Sequence, residues 1–184
     1  MAQSHIARAR KGRQAQFRRM VLSHYDFEDA RAFLNKLEPM DSVEDVVHDP
    51  DIRRALMTAM LVSYWRPFSG NEPDGETATV LPSSCLRGLT EAQQLLHCRI
   101  GELRNREFAH SDPKPAELKV DWSPTDPGFA FPVPVLSIIR QDFNSVELRL
   151  FGDLLAHVSR RVFEQYVALG EELHGQLAPG NALL

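Results

Sequence analysis

The chain is poor in the features that would place it in several large classes. Cysteine occurs twice, at Cys85 and Cys98, in no C-x-x-C pair and at no ligand spacing from a histidine, so neither a disulfide framework nor a cysteine-based metal knuckle is written here. No apolar run approaches the roughly 20 residues that a membrane span needs, and the N-terminus has no apolar leader core; the expectation is a cytoplasmic protein. The seven histidines, at positions 5, 24, 48, 97, 110, 157 and 174, form no H-E-x-x-H or comparable cluster. No metal and no cofactor is expected. Internal repeats and low-complexity tracts are also missing. With 184 residues, 43% hydrophobic and 25% charged, the chain has the makings of one ordinary globular domain and is too short for two to be expected.

What is present is helical periodicity. Phe27, Ala30, Phe33, Leu34 and Leu37 predict a helix from about Asp26 to Leu37, stopped by Pro39, with the basic segment before it as a backward extension that Gly12 disfavours. Pro50 suits a first helical position, and Ile52, Ala55, Leu56, Ala59, Met60 and Val62 predict a second helix to Trp65, ended by Pro67. Thr90 with Gln93 forms a capping-box pattern ahead of the stripe Ala92, Leu96, Ile100 and Leu103. Between Ser111 and Ser137 six prolines exclude continuous helix. Within that stretch, Leu118–Trp122 and Val133–Ile139 predict a small hairpin. The last pattern, Val146, Leu150, Leu154, Val158 and Val162, opens after Asn144 or Ser145 and runs to about Leu173, and is expected to be the longest helix. Such stripes bury only against one another, so the expected fold is an all-α antiparallel bundle of four or more helices, with a proline-rich loop or hairpin inserted before the last. The expected organisation is a basic arm or helix extension over residues 1–20, a single domain over 21–175 and a tail over 176–184.

The net charge of −4 hides an asymmetry. Arg8, Arg10, Lys11, Arg13, Arg18 and Arg19 lie in the first 20 residues, which contain no acidic residue. Such an arm suits RNA phosphates, with Arg8, Arg10, Lys11 and Arg13 as candidate contacts; a solvated terminus is the competing reading, since those residues lack interleaved aromatics and the rest of the chain repels nucleic acid.

The segment most suggestive of chemistry is Glu102-Leu103-Arg104-Asn105-Arg106-Glu107-Phe108-Ala109-His110-Ser111-Asp112. It joins a permanent planar cation, an amide and an imidazole that exchanges protons near neutral pH, a set able to act on a phosphodiester without a metal. Arg104, Asn105, four further positions and His110, in the tail of a capped helix, resemble the signature of the HEPN superfamily. Ala109 and Ser111-Asp112 flank the histidine as in many bacterial members, and Tyr64-Trp65-Arg66-Pro67-Phe68 closes the preceding helix. The likeness spans roughly residues 25–170, with only the motif specific. It implies a helical bundle that dimerises so that two motifs face one cleft and, in active members, a metal-independent endoribonuclease, with toxin or host-defence roles and an antitoxin or regulatory partner in view. Arg104, Asn105 and His110 are then the candidate catalytic set, and Arg66 a candidate RNA contact in the same cleft. The alternative is a catalytically silent module that binds RNA, nucleotides or a partner protein through that cleft.

On a continuous helix Arg104 and His110 stand about 9 Å apart along the axis and about 120° apart around it, so they face each other poorly. A helix end near Phe108, or a two-fold dimer, would bring them together. Against any chemistry stand the ordinary readings: Arg104 paired with Glu102 or Glu107 at the surface, His110 as a C-terminal helix cation, and Arg66 as a bundle-end charge.

Overall fold

In the computed structural model the backbone is described for residues 2–41, 50–70, 80–105, 116–125, 129–138 and 142–174, and side chains for 11–40, 50–70, 80–105 and 142–174. Among the described residues four helices carry the fold: α1 (Ala2–Leu37), α2 (Pro50–Trp65), α3 (Glu91–Leu103) and α4 (Ser145–Leu173). They pack on one another as an all-α bundle around Phe27, Leu34, Met60, Tyr64, Ile100, Phe143, Phe151, Leu154 and Val158, every one at most 5% exposed. Burying each such side chain stabilises by about 1.5–3 kcal/mol before entropy is counted.

Side-chain contacts fix the directions. Arg13 of α1 pairs with Glu172 of α4, Phe17 stacks on Tyr166, and Leu34 approaches Gly152, so α1 and α4 run antiparallel. Ser84 bonds to Gln165, His157 meets the Arg87 carbonyl, and Arg99 pairs with Glu147. Residue numbers rise on one side as they fall on the other, and α3 with its preceding turn is antiparallel to α4.

The helix starts follow from capping chemistry. Thr90 accepts from the Gln93 amide while the Gln93 side chain accepts from the Thr90 N–H. Asn144 and Glu147 make the same reciprocal pair at the start of α4. Each satisfies donors that a helix N-terminus otherwise leaves unpaired.

Two expectations are corrected. The longest helix is α1, with 36 residues against 29 in α4: the basic segment continues the helix backwards through Gly12, whose surroundings are open, because Phe17 and Met20 anchor the earlier turns on the bundle. Val146 and Ile52, expected on the inner stripes, are 65% and 51% exposed; both lie in first helical turns, ahead of the seat. On α2 the buried set is Arg53, Met57, Met60, Leu61, Ser63 and Tyr64, and Ala92 of α3 is likewise exposed.

The proline-rich segment forms an antiparallel ribbon, β1 (Ala116–Thr125) with β2 (Phe129–Ile138), in register from Ala116↔Ile138 to Thr125↔Phe129. Its prolines fall at Val120↔Pro134, Trp122↔Pro132 and Pro124↔Ala130. Alternate pairs belong to one register class, and only the class whose N–H groups point away from the partner accepts proline without losing a ladder bond.

Candidate functional site

The helical backbone does not stop at Leu103. Arg104 keeps helical dihedrals (φ −58°, ψ −43°), and its N–H bonds to the Ile100 and Gly101 carbonyls. The chain then widens into a π turn at Arg104 and Asn105, a rare geometry that recurs at functional sites. There Arg104 Nη1 donates to Asn105 Oδ1 at 3.0 Å, which steers one edge of the guanidinium. Arg104 is half-buried and Asn105 exposed. His110 lies outside the described residues.

Arg104 shares a helix face with two other residues. His97 lies seven positions earlier, within about 20° around the axis and about 10 Å along it, and Gly101 lies between them. That face meets the C-terminal end of α2. Trp65 lies over Gly101, and the His97 ring is surrounded by Tyr64, Trp65 and Phe68 at centroid distances of 5.9, 4.9 and 4.8 Å. His97 Nδ1 is 2.9 Å from the Tyr64 hydroxyl. Burial pushes the Tyr64 phenol up and His97 down from its ordinary value. The phenol therefore stays protonated and the imidazole tends to neutral, so Tyr64 O–H donates to Nδ1 and the ring proton resides on Nε2.

Arg66 follows Trp65 directly. Its Nη1 donates to Asp26 Oδ1 at 2.7 Å, with the Asp26 side chain 10% exposed and that of Arg66 52% exposed. Arg19 completes the junction. Its Nε donates to the Pro67 carbonyl at 3.3 Å, and Nη2 reaches the Arg66 and Ser69 carbonyls. It thereby caps the 3₁₀ turn that ends α2, where cations are favoured. Burial lowers the Arg19 pKa; the Asp26 carboxylate opposes that shift and the Arg66 cation adds to it. Asp26 thus hydrogen-bonds Arg66 and acts on Arg19 through its charge.

The structure accordingly seats Trp65, immediately before Arg66, on Gly101, one turn before Arg104. Of the arm candidates, Arg13 is engaged with Glu172 and Lys11 is exposed, while the side chains of Arg8 and Arg10 lie outside the described residues. The Tyr64–His97 contact was missed in the sequence. Its only signal is an imidazole between Leu96 and Ile100 on an otherwise apolar stripe.

Among the described residues no group of three or more His, Cys, Asp or Glu side chains is placed to hold a metal ion, and no helix is long and apolar enough to cross a membrane. No family model, curated protein or solved structure matches the chain.

Proposed function

We propose that the protein is a cytoplasmic, metal-independent endoribonuclease of HEPN type, acting as a homodimer whose two motifs face one cleft, in a toxin or host-defence setting with an antitoxin or regulatory partner. The observation that carries this reading is the Arg104–Asn105 pair, on a π turn at the end of a capped helix within an all-α bundle. The residue chemistry fits attack by the RNA's own 2′-hydroxyl. The 2′-oxygen loses its proton and bonds to phosphorus while the P–O5′ bond breaks and O5′ gains a proton; His110 serves as base in the first transfer or as acid in the second, with water, or His110 of the second copy, serving for the other. The products are a 2′,3′-cyclic phosphate and a 5′-hydroxyl. Arg104 offsets the negative charge that builds on the phosphoryl oxygens, and Asn105 holds the guanidinium edge. Proton transfer through a placed imidazole typically contributes about 10² to 10⁴ in rate.

The purified protein incubated with mixed RNAs, with and without EDTA, tests this. Expected are cleavage that survives chelation, products ending in cyclic phosphate, no action on DNA, and loss of cleavage in His110→Ala and Arg104→Ala. Cleavage that needs a divalent ion, or persists in His110→Ala, overturns it.

A second reading is favoured by the Arg66–Asp26 pair, which supplies one cation of this end of the bundle with an internal partner. In that reading the same surface binds RNA, nucleotides or a partner protein and cleaves nothing. Binding by the unaltered chain without products distinguishes it.

A further inference from the structure

The imidazole of His97 stands beside the candidate site and has no part in the cleavage chemistry. Tyr64 is fully buried, and among the described residues its hydroxyl meets one acceptor, His97 Nδ1 at 2.9 Å. A buried O–H requires an acceptor, so the phenol donates and Nδ1 accepts. The ring proton of the neutral imidazole is then held on Nε2, and a protonated ring carries one there as well. In either charge state Nε2 presents an N–H. Nδ1 faces the core, and Nε2, on the far edge of a half-buried ring, faces outward.

The surroundings of that N–H are of one chemical kind. Gly101 stands between His97 and Arg104 on one face of α3, and the absence of a side chain there lets the half-buried Trp65 ring settle low between the two. Along about 10 Å of that face the order is N–H donor, aromatic ring, cation. Neither the indole nor the guanidinium accepts a hydrogen bond, and Asn105 Oδ1 already accepts from Arg104. The seam donates and stacks.

A wall of donors sorts nucleobases. Uracil sets two carbonyl acceptors against one N–H, whereas adenine and cytosine bring an amino group and guanine an amino group with a ring N–H. Each such donor, facing donors, would lose water without gaining a partner. A simple anion would engage Arg104 and leave the ring and the imidazole unused.

We propose that the seam between the end of α2 and α3 is the base subsite of the cleavage site and selects uracil: Arg104 holds the phosphate, the base lies on Trp65, and His97 Nε2–H donates to a base carbonyl. Tyr64 is a positioning residue, since by occupying Nδ1 it keeps Nε2 a donor. The proposal rests on the ribonuclease reading for the phosphate beside Arg104 and adds the residue that reads the base.

The test titrates uridine 3′-monophosphate and adenosine 3′-monophosphate into the full chain carrying His110→Ala, followed by calorimetry and by the NMR signals of the His97 and Trp65 rings. The uridine nucleotide is expected to bind about three- to tenfold more tightly, as one hydrogen bond provides, and to shift both ring signals. His97→Phe should erase the difference between the nucleotides. Tyr64→Phe should reduce it, because either ring nitrogen can then carry the proton, and His97→Gln, whose amide N–H can stand near the place of Nε2, should retain part of it. Circular dichroism verifies that the variants fold, and the ring signals of the parent decide even if one does not. Equal affinity for the two nucleotides, no binding of uridine 3′-monophosphate at millimolar concentration, or a preference that survives His97→Phe overturns the subsite. With His110 intact, products of a mixed-sequence RNA should end mainly in uridine 2′,3′-cyclic phosphate. The two readings fail separately: a chain that never cleaves yet separates the nucleotides through His97 removes only the ribonuclease, and one that cleaves after all four bases alike, with equal affinities, removes only the subsite.

Discussion

Trp65 lies against Gly101 so closely that a Cβ at position 101 would come within 2.9 Å of three of its ring carbons. Glycine is required here for close approach; the helical backbone itself would accept alanine. Gly101→Ala is therefore expected to destabilise the bundle by about 1–3 kcal/mol, as overpacking does, instead of adding the helix propensity that alanine gives an exposed site. Urea unfolding measures the change. Combining it with Trp65→Leu should recover part of the loss, because the opposing ring is then gone.

His97 makes the bundle sensitive to acid. Burial lowers its pKa below the 6.5 of an unperturbed histidine, so on acidification the unfolded chain takes up that proton first. Its contribution is thus complete above about pH 6.5, falls as pH drops through that value, and levels off below the folded-state pKa. The difference in unfolding free energy between parent and His97→Phe, measured from pH 8 to pH 5, should shift in favour of the variant as pH falls. A difference independent of pH would contradict this.

Arg66 and Asp26 are unequally exposed, so the two ends of the ion pair are not equivalent. Removing Arg66 takes the hydrogen-bond donor from a nearly buried carboxylate, whereas Asp26→Asn leaves a half-exposed guanidinium that water can solvate and an Arg19 that keeps its carbonyl acceptors. Arg66→Ala should therefore cost about 1–3 kcal/mol, the range for stranding a buried hydrogen-bonded group, and Asp26→Asn no more than about 1 kcal/mol, as for exposed ion pairs. Thermal unfolding of the two variants under one buffer gives the order, and the reverse order would refute it.

The two thiols should separate cleanly. Cys85 is buried and its pKa is raised by that burial, whereas Cys98 is exposed. A thiol-specific reagent should modify Cys98 rapidly in the folded protein and Cys85 only on unfolding, and Cys98→Ser should abolish the fast phase.

Much of the fold was legible because its determinants are local. The Thr90–Gln93 and Asn144–Glu147 boxes announce their helices within four residues, and Pro50, Pro67 and the proline-rich stretch bound the others. The hairpin could be anticipated from two short pieces, Leu118–Trp122 and Val133–Ile139, in a stretch whose prolines exclude continuous helix; its register could not. What escaped depends on contacts distant in sequence. Nothing near Arg53 says that its guanidinium will be buried and donate to the Phe143 carbonyl, 90 residues on. Val146 and Ile52 fit the apolar period, but the period says nothing about where a neighbouring helix ends. At the candidate site, the sequence singled out Arg104 and Asn105, which the structure joins by a hydrogen bond, and Arg66, at the end of α2. It was silent on Tyr64 and His97, 33 residues apart, because a lone tyrosine and a lone histidine carry no pattern.

The manner in which α3 is held has a consequence for exchange kinetics. This helix has 13 residues, of which Leu96, Ile100, Gly101 and Leu103 are buried, and it meets α2 at little more than the Tyr64–Trp65 end. The long pair α1 and α4, by contrast, is zipped from Arg13 to Leu34. Helices with fewer buried contacts open at lower free energy than the domain as a whole, so the amides of α3 are expected to exchange through partial opening while the paired stretch of α1 and α4 stays closed. Arg104 and Asn105 follow directly on that helix, and anything that grips or frees α3 would then govern them without melting the domain.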